Sequence, residues 1–334
     1  MPSAGATPML LDRDDMPTAT VAFSLRKLRE DYTGKAIKVR RASDDVEVDV
    51  AFDENPGTDT NTPQVTGASV ITVTSGSYSG TMTLSAFTSG TTAHVTTWYD
   101  QVGTATNATQ SSAGSQPPLL GDFSALDFSA SEKLSSTYVP AEGGDGTNVG
   151  DSNTWLTVSK YIDTDNDRHE LVGAYYYYPA YGRALYVEGD TYRFDVGGGA
   201  SGTDFDVLNS TVTASTSSID VNIASYMPAE SGNEMQMKVN GTDRSPMSSS
   251  HNVNSWGNAY LYIGYANAPY VTIHIKRNKI TWHPHFQHPP DWGELEDGLT
   301  KVEDSLDKAY GLNATGLCKR AMIQMQFKWG DWEP

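Results

Sequence analysis

Apolar and polar positions alternate with a period of two over short runs along most of this chain, the pattern of strands with one face in a core. Runs Ala36–Arg41 and Val46–Phe52 flank Ala42-Ser43-Asp44-Asp45 and predict a hairpin. Val70–Thr74, Tyr78–Leu84 and Ala93–Tyr99 continue the series, the last rich in β-branched and aromatic residues. A second series follows at Trp155–Tyr161, Leu171–Tyr177, Ala184–Val187, Tyr192–Val196, Ile219–Met227, Met235–Val239, Tyr260–Tyr265 and Tyr270–Ile275. Met235–Val239 runs into Asn240-Gly241, the dipeptide that best suits a tight hairpin.

Two stretches depart from this period. Phe23, Leu25, Leu28 and Tyr32 stand at near-helical spacing before Thr33-Gly34, which predicts one short N-terminal helix. Leu295, Leu299, Val302, Leu306 and Tyr310 recur every three or four residues before Gly311, which predicts an amphipathic C-terminal helix against the sheets. Polar segments holding prolines or glycines, Asp53–Gln64 and Gly103–Pro118, predict surface loops. Many strands without long intervening helices predict an all-β antiparallel sandwich. The expected organisation is an arm over 1–17, a sandwich over 18–311 with a polar loop or insertion about 53–66, and an extension over 312–334.

Composition agrees with that class: hydrophobic residues are 38% and charged residues 19% of 334, the remainder weighted to turn-forming polar types. A net charge of -18 argues against nucleic acid as the main partner, because phosphate binding needs a concentrated cationic surface. Arg26, Lys27, Arg29, Lys35, Lys38, Arg40 and Arg41 gather the early positive charge and are expected to form a solvated face. With Cys318 as the single cysteine, no intrachain disulfide can form. Met1–Met16 has neither a basic segment nor a continuous apolar run, so no signal peptide is expected, and no apolar run has the length of a membrane helix.

The segment SLRKLREDYTGKAIKVRRASDD (Ser24–Asp45), then HVTTWYDQVG (His94–Gly103) and NATQ (Asn107–Gln110), resembles the catalytic domain of the family 54 α-L-arabinofuranosidases. It is also similar to a module of tailed-phage virion proteins that stands before a concanavalin-like or laminin-G-like domain. ALDFSASEKLSS (Ala125–Ser136) is similar to the next part of that pattern, and MKVNGT (Met237–Thr242) and LYIGYA (Leu261–Ala266) resemble the late strands of laminin-G-like sandwiches. The resemblance implies a concanavalin A-like, laminin-G-like sandwich or jelly roll. It does not bring the activity, because the stretch with the family's catalytic carboxylates has no counterpart here.

Among the residues themselves, a retaining glycosidase needs two carboxyl groups about 5–5.5 Å apart. Glu142, Asp145, Glu170, Glu188 and Asp195 are available, with no reason in the sequence to pair any two. Asp100, after a strand and before a glycine-containing loop, suits a turn cap. Asp163–Asp167 alternates carboxylates as a calcium loop does, but Arg168 stands where that loop needs glycine, so an acidic turn is expected. His283, His285 and His288 could hold a transition metal, although their spacing fits no zinc motif. Tyr175, Tyr176, Tyr177, Tyr178 and Tyr181 could contact a carbohydrate or a protein partner. Phe327, Trp329 and Trp332 make the C-terminal extension too apolar for a free tail and suit an assembly contact.

The expectation is a non-enzymatic virion protein without a cofactor, made in the host cytoplasm. It would serve as a head decoration or a tail component, form homo-oligomers and contact other virion proteins. A carbohydrate-binding tail adhesin that meets a host surface glycan is the alternative, and a glycosidase the remoter one.

Overall fold

The structure is a computed structural model, and it describes residues 9–13, 19–56, 62–74, 78–103, 106–128, 132–136, 153–160, 168–177, 181–197, 205–216, 219–226, 234–247, 260–265, 276–277 and 326–327. Its strands in chain order are β1 (Ile37–Arg41), β2 (Glu47–Val50), β3 (Val70–Val73), β4 (Gly80–Thr83), β5 (Ala93–Trp98), β6 (Ala108–Thr109), β7 (Leu134–Ser136) and β8 (Asn153–Ser159). There follow β9 (Arg168–Tyr177), β10 (Tyr181–Glu188), β11 (Thr191–Gly197), β12 (Phe205–Thr213), β13 (Asp220–Tyr226), β14 (Met235–Val239), β15 (Thr242–Met247), β16 (Tyr260–Tyr265) and the two-residue β17 (Lys276–Arg277) and β18 (Gln326–Phe327). A single α-helical turn, α1 (Leu84–Phe87), follows β4 and is capped by the Thr83 hydroxyl, which accepts from the Ala86 N–H.

Two large sheets form. One has ten strands in the order β12-β11-β10-β9-β16-β7-β6-β5-β1-β2, and the other six in the order β15-β14-β13-β8-β18-β17. Among the strand pairings of the described residues, only β17 with β18 is parallel. The sheets pack face to face through residues two apart along their strands. Trp155 of β8 meets Phe194 of β11 edge-on at 5.8 Å, and the Arg183 guanidinium of β10 lies 4.1 Å over the Tyr226 ring of β13. Trp98, Trp155, Tyr192, Tyr226, Phe23 and Phe128 are fully buried, each contributing roughly 1.5–3 kcal/mol of apolar burial. The all-β antiparallel sandwich is therefore as expected.

Most expected strands are present, with shifts of up to three residues at their ends. The β14–β15 turn is the expected Asn-Gly hairpin: Asn240 and Gly241 have φ of 49° and 76°, both in the left-handed region that a type I′ turn requires. Gly264 in β16 also has positive φ, 62°, and lies so close to the Phe128 ring that a Cβ has no room. Within the expected loop 103–118 the chain adds the short β6 and a 3-10 turn at Ala113–Ser115. β7 and β12 have no counterpart among the expected strands. The expected strand Tyr270–Ile275 and the helix over 295–310 lie outside the described residues.

The expected N-terminal helix is not formed. Residues 21–29 run as an irregular extended strap, with Val21, Ala22 and Phe23 fully buried and an isolated bridge from Arg26 to Gln64. The near-helical spacing of its apolar residues reflects burial of the strap, and its backbone groups bond other segments instead of one another. The Lys27 N–H donates to Pro63 O at 2.8 Å, and the Val65 N–H to Leu25 O at 2.7 Å. Residues 9–13 continue this on the same body, where the Leu11 N–H donates to Leu28 O and the Asp12 carboxylate accepts from the Glu30 N–H.

Candidate functional site

The polar residues that carry the sequence resemblance converge on the strap. After β5 the chain turns at Asp100, whose Oδ1 accepts from the Val102 N–H at 3.0 Å and from the Ala22 N–H at 2.9 Å. The first of these bonds is the expected turn cap, and the second ties the turn to the strap. Gln101, fully buried, uses its whole carboxamide: Oε1 accepts from the Leu28 N–H at 2.8 Å, while Nε2 donates to Ser24 O at 2.9 Å and Arg26 O at 2.8 Å. Asn107 Oδ1 accepts from the Asp100 N–H, and Gln110 Nε2 donates to Lys133 O. The motif is thus a clasp between β5, the strap and the β6–β7 region.

The arginine pair on β1 works in the same way. Arg41 occupies a core position in the alternation of β1 and is only 3% exposed. Its guanidinium lies 3.9 Å over the Tyr78 ring and donates to Tyr78 Oη, Asp44, Ser43 and the Phe87 carbonyl. Arg40 donates to Gln116 Oε1 and pairs with Asp45. The expected solvated basic face is corrected in part: Lys35 is exposed and Arg29 and Lys38 are partly so, but Arg26 and Arg41 are buried and the Lys27 and Arg40 side chains are each 11% exposed, because their heads have partners on the same chain or their stems lie on the core. Lys keeps the charge of Arg41 but lacks the planar fork, so Arg41→Lys should cost about 2 kcal/mol, read by denaturant melting.

The outward face of the ten-stranded sheet has a different character. Ala184 and Tyr186 of β10 form a small cluster with Tyr262 of β16, separate from the main core. Register places Asp195 of β11 opposite Ala184, and Glu170 of β9 opposite Tyr186, so both carboxylates share this face. Both are buried. Their backbones stand two strands and two residues apart, roughly 12 Å from strand spacing and rise. Side chains that stand roughly perpendicular to a sheet do not close that gap to the roughly 5–5.5 Å of a retaining pair. Glu188 is committed elsewhere, in an ion pair with Arg193. At the rim of the cluster the Lys133 ammonium lies 5.9 Å over the half-buried Tyr262 ring. This cation and ring were missed by sequence reasoning, although alternation along YLYIG sets Tyr260 and Tyr262 on one side of a strand.

The other expected site residues are placed only in part. Tyr175, Tyr176 and Tyr177 form the end of β9 and Tyr181 opens β10, with Tyr181 paired to Tyr177; only their backbones are described, and Tyr178 lies outside the described residues. Phe327 is in β18, whose backbone pairs with Thr154 of β8. Trp329, Trp332, His283, His285, His288, Glu142, Asp145 and the 163–167 turn lie outside the described residues. Among the described residues no group of three or more His, Cys, Asp or Glu is placed to hold a metal ion.

Several phenols are held protonated. Burial, and then the Asp100 charge, pushes Tyr32 up to about 12. Burial also raises Tyr99, which donates to Asp49 at 2.6 Å. Fully buried Tyr192 is raised well above its ordinary value by burial and then by Asp220, whose carboxylate accepts a hydrogen bond from the Tyr192 hydroxyl at 2.6 Å. Above pH about 10 the unfolded chain gives up phenolic protons that the folded chain keeps, so stability falls as pH rises. Loss of stability should set in near pH 10 and deepen towards about 12, the folded-state value of Tyr32, as followed by chemical melts alongside a phenolate absorbance titration.

No protein-family profile matches the sequence, and comparison with curated proteins gives no match. Among solved structures, a GH54 α-L-arabinofuranosidase soaked with a cyclic sulfate inhibitor aligns at 13% identity and a TM-score of 0.47, over 75% of this chain and 57% of that one. This chain therefore spans less than two thirds of the arabinofuranosidase. A Ruminococcus gnavus IT-sialidase CBM40 bound to α2,3 sialyllactose aligns at 8% identity and a TM-score of 0.30, over 40% of this chain and 82% of its own. The binding domain of botulinum neurotoxin DC in complex with SialylT aligns at 11% identity and a TM-score of 0.37, covering 63% of this chain and 48% of that one.

Proposed function

We propose that this chain is a non-enzymatic structural protein of a bacteriophage virion, a head decoration or tail component whose sandwich makes subunit or surface contacts. The observation that carries the non-enzymatic part is the use of the signature residues: Asp100, Gln101, Arg40 and Arg41 bond the strap, the β1–β2 turn and the Phe87 carbonyl of α1. They act as scaffold, so a protein can keep this signature without keeping any activity. The virion setting rests on the resemblance of the Ser24–Asp45 and His94–Gly103 segments to the phage module. Homo-oligomeric packing and contacts with other virion proteins belong to the same reading.

The test of the non-enzymatic part is incubation with an aryl α-L-arabinofuranoside. No aryl alcohol is released on this reading. Release that is lost in Glu170→Gln or Asp195→Asn would overturn it.

A second reading, a carbohydrate-binding adhesin at the tail, is favoured by the half-buried Tyr262 ring beside the Lys133 ammonium. Aromatic rings with a cation at the rim suit a sugar face that carries an acidic group. On a glycan array the chain should then retain acidic oligosaccharides, and Tyr262→Ala should weaken retention about tenfold, the factor that a loss of about 1.4 kcal/mol imposes. Absence of binding across the array removes this reading and leaves the structural one.

A further inference from the structure

We propose that Asn240 is a site of spontaneous deamidation that the folded protein keeps shut, and whose conversion to aspartate would unlatch the β14–β15 hairpin from the inter-sheet core. Asn240-Gly241 is the one Asn-Gly dipeptide in the chain, and it forms an exposed two-residue turn. In such a dipeptide the glycine N–H is the least hindered backbone nucleophile. Gly241 N, giving its proton to solvent base, bonds to Asn240 Cγ. The Cγ–Nδ2 bond breaks and ammonia leaves, and water then opens the resulting cyclic imide to aspartate or isoaspartate.

That route requires the Asn240 carboxamide to swing towards Gly241, and the structure holds it elsewhere. Asn240 Nδ2 donates to Asp220 Oδ1 at 2.7 Å, Asn240 Oδ1 accepts from the Val221 N–H at 2.8 Å, and the Asn240 N–H donates to Val221 O at 2.9 Å. Both side-chain bonds must break before the ring can close. The consequence of closing it follows from the partner. Asp220 is 1% exposed and also accepts from Tyr192 Oη and the Ser215 N–H, so it is the hub between β11 and β13. An aspartate at 240 replaces the third donor by a second negative charge, and isoaspartate lengthens the backbone of the turn as well.

The experiment incubates the full folded chain, and a synthetic peptide spanning Met235–Met247, at mildly alkaline pH, with peptide mapping by mass spectrometry. Deamidation in the folded chain should be at least roughly tenfold slower than in the peptide, the factor that each ~1.4 kcal/mol of hairpin opening imposes. Equal rates overturn the proposal. Asn240→Asp tests the consequence separately: it should melt below the wild type, and Asp220→Asn combined with Asn240→Asp, which exchanges amide and carboxylate across the contact, should recover much of that loss. An Asn240→Asp protein that melts with the wild type, or a double variant worse than the sum of its singles, contradicts it.

Discussion

Gln101→Ala should destabilise the protein by about 4 kcal/mol, because one truncation strands three buried backbone groups at about 1–3 kcal/mol each with partial relaxation. Those groups are the Leu28 N–H and the Ser24 and Arg26 carbonyls, which lie within the strap. Domains are stable by only about 5–15 kcal/mol, so a loss of this size approaches loss of the folded state at body temperature. Gln101→Glu is the sharper variant. It keeps an acceptor for Leu28 but turns a carboxylate on two carbonyl oxygens, so its cost should match or exceed that of alanine. Urea melts of the three proteins decide the point. A change under about 1 kcal/mol in Gln101→Ala would mean that the strap is held by its apolar burial alone.

Asp220→Ala should cost about 3–4 kcal/mol by the same physics, applied to charge-assisted bonds. Tyr192 Oη, Asn240 Nδ2 and the Ser215 N–H all lose their acceptor, and the tyrosine hydroxyl is fully buried. Tyr192→Phe removes only one of these partners and should cost about 1–1.5 kcal/mol. In the double variant the two losses should add to less than their sum, because they share one bond. Thermal melts of the four proteins close this cycle. Additive losses would place the energy in packing around Tyr192 instead of in the hydrogen bond.

Strands were legible where burial alternates or where a short alternating run precedes a turn signal, as in β14, which is buried at every position. β1, with Ile37, Val39 and Arg41 inward, follows the period directly, whereas β5 changes phase at Thr96, where its register against β1 shifts, and is legible from its β-branched and aromatic run. The Asn240-Gly241 turn was legible because its backbone angles are ones that few other residue pairs adopt. β12 was hidden because Ser, Thr and Asn fill much of Phe205–Thr213, an edge of the ten-stranded sheet, where alternation is weak. The strap was misread because apolar spacing records which residues are buried, while the choice between helix and extended chain was made by the carboxamide of Gln101, more than seventy residues away in sequence. No local pattern carries that information.

For the candidate site the same limit applies with more force. Sequence supplied Glu170 and Asp195 as separate acids, and only register brings them to one face, on strands that flank β10. Register also sets Tyr262 beside that cluster, and the β6–β7 bends bring up Lys133. Conversely, Asp100 was legible as structural, because an aspartate that bonds the amide two residues on is a local motif.

The central claim is a structural place in a virion, and cryo-electron microscopy of purified phage particles tests it most directly. The claim predicts density for the sandwich in many symmetry-related copies on the head or tail. Particles that lack the chain, with all of it recovered as free protein from infected-cell lysate, would contradict that claim.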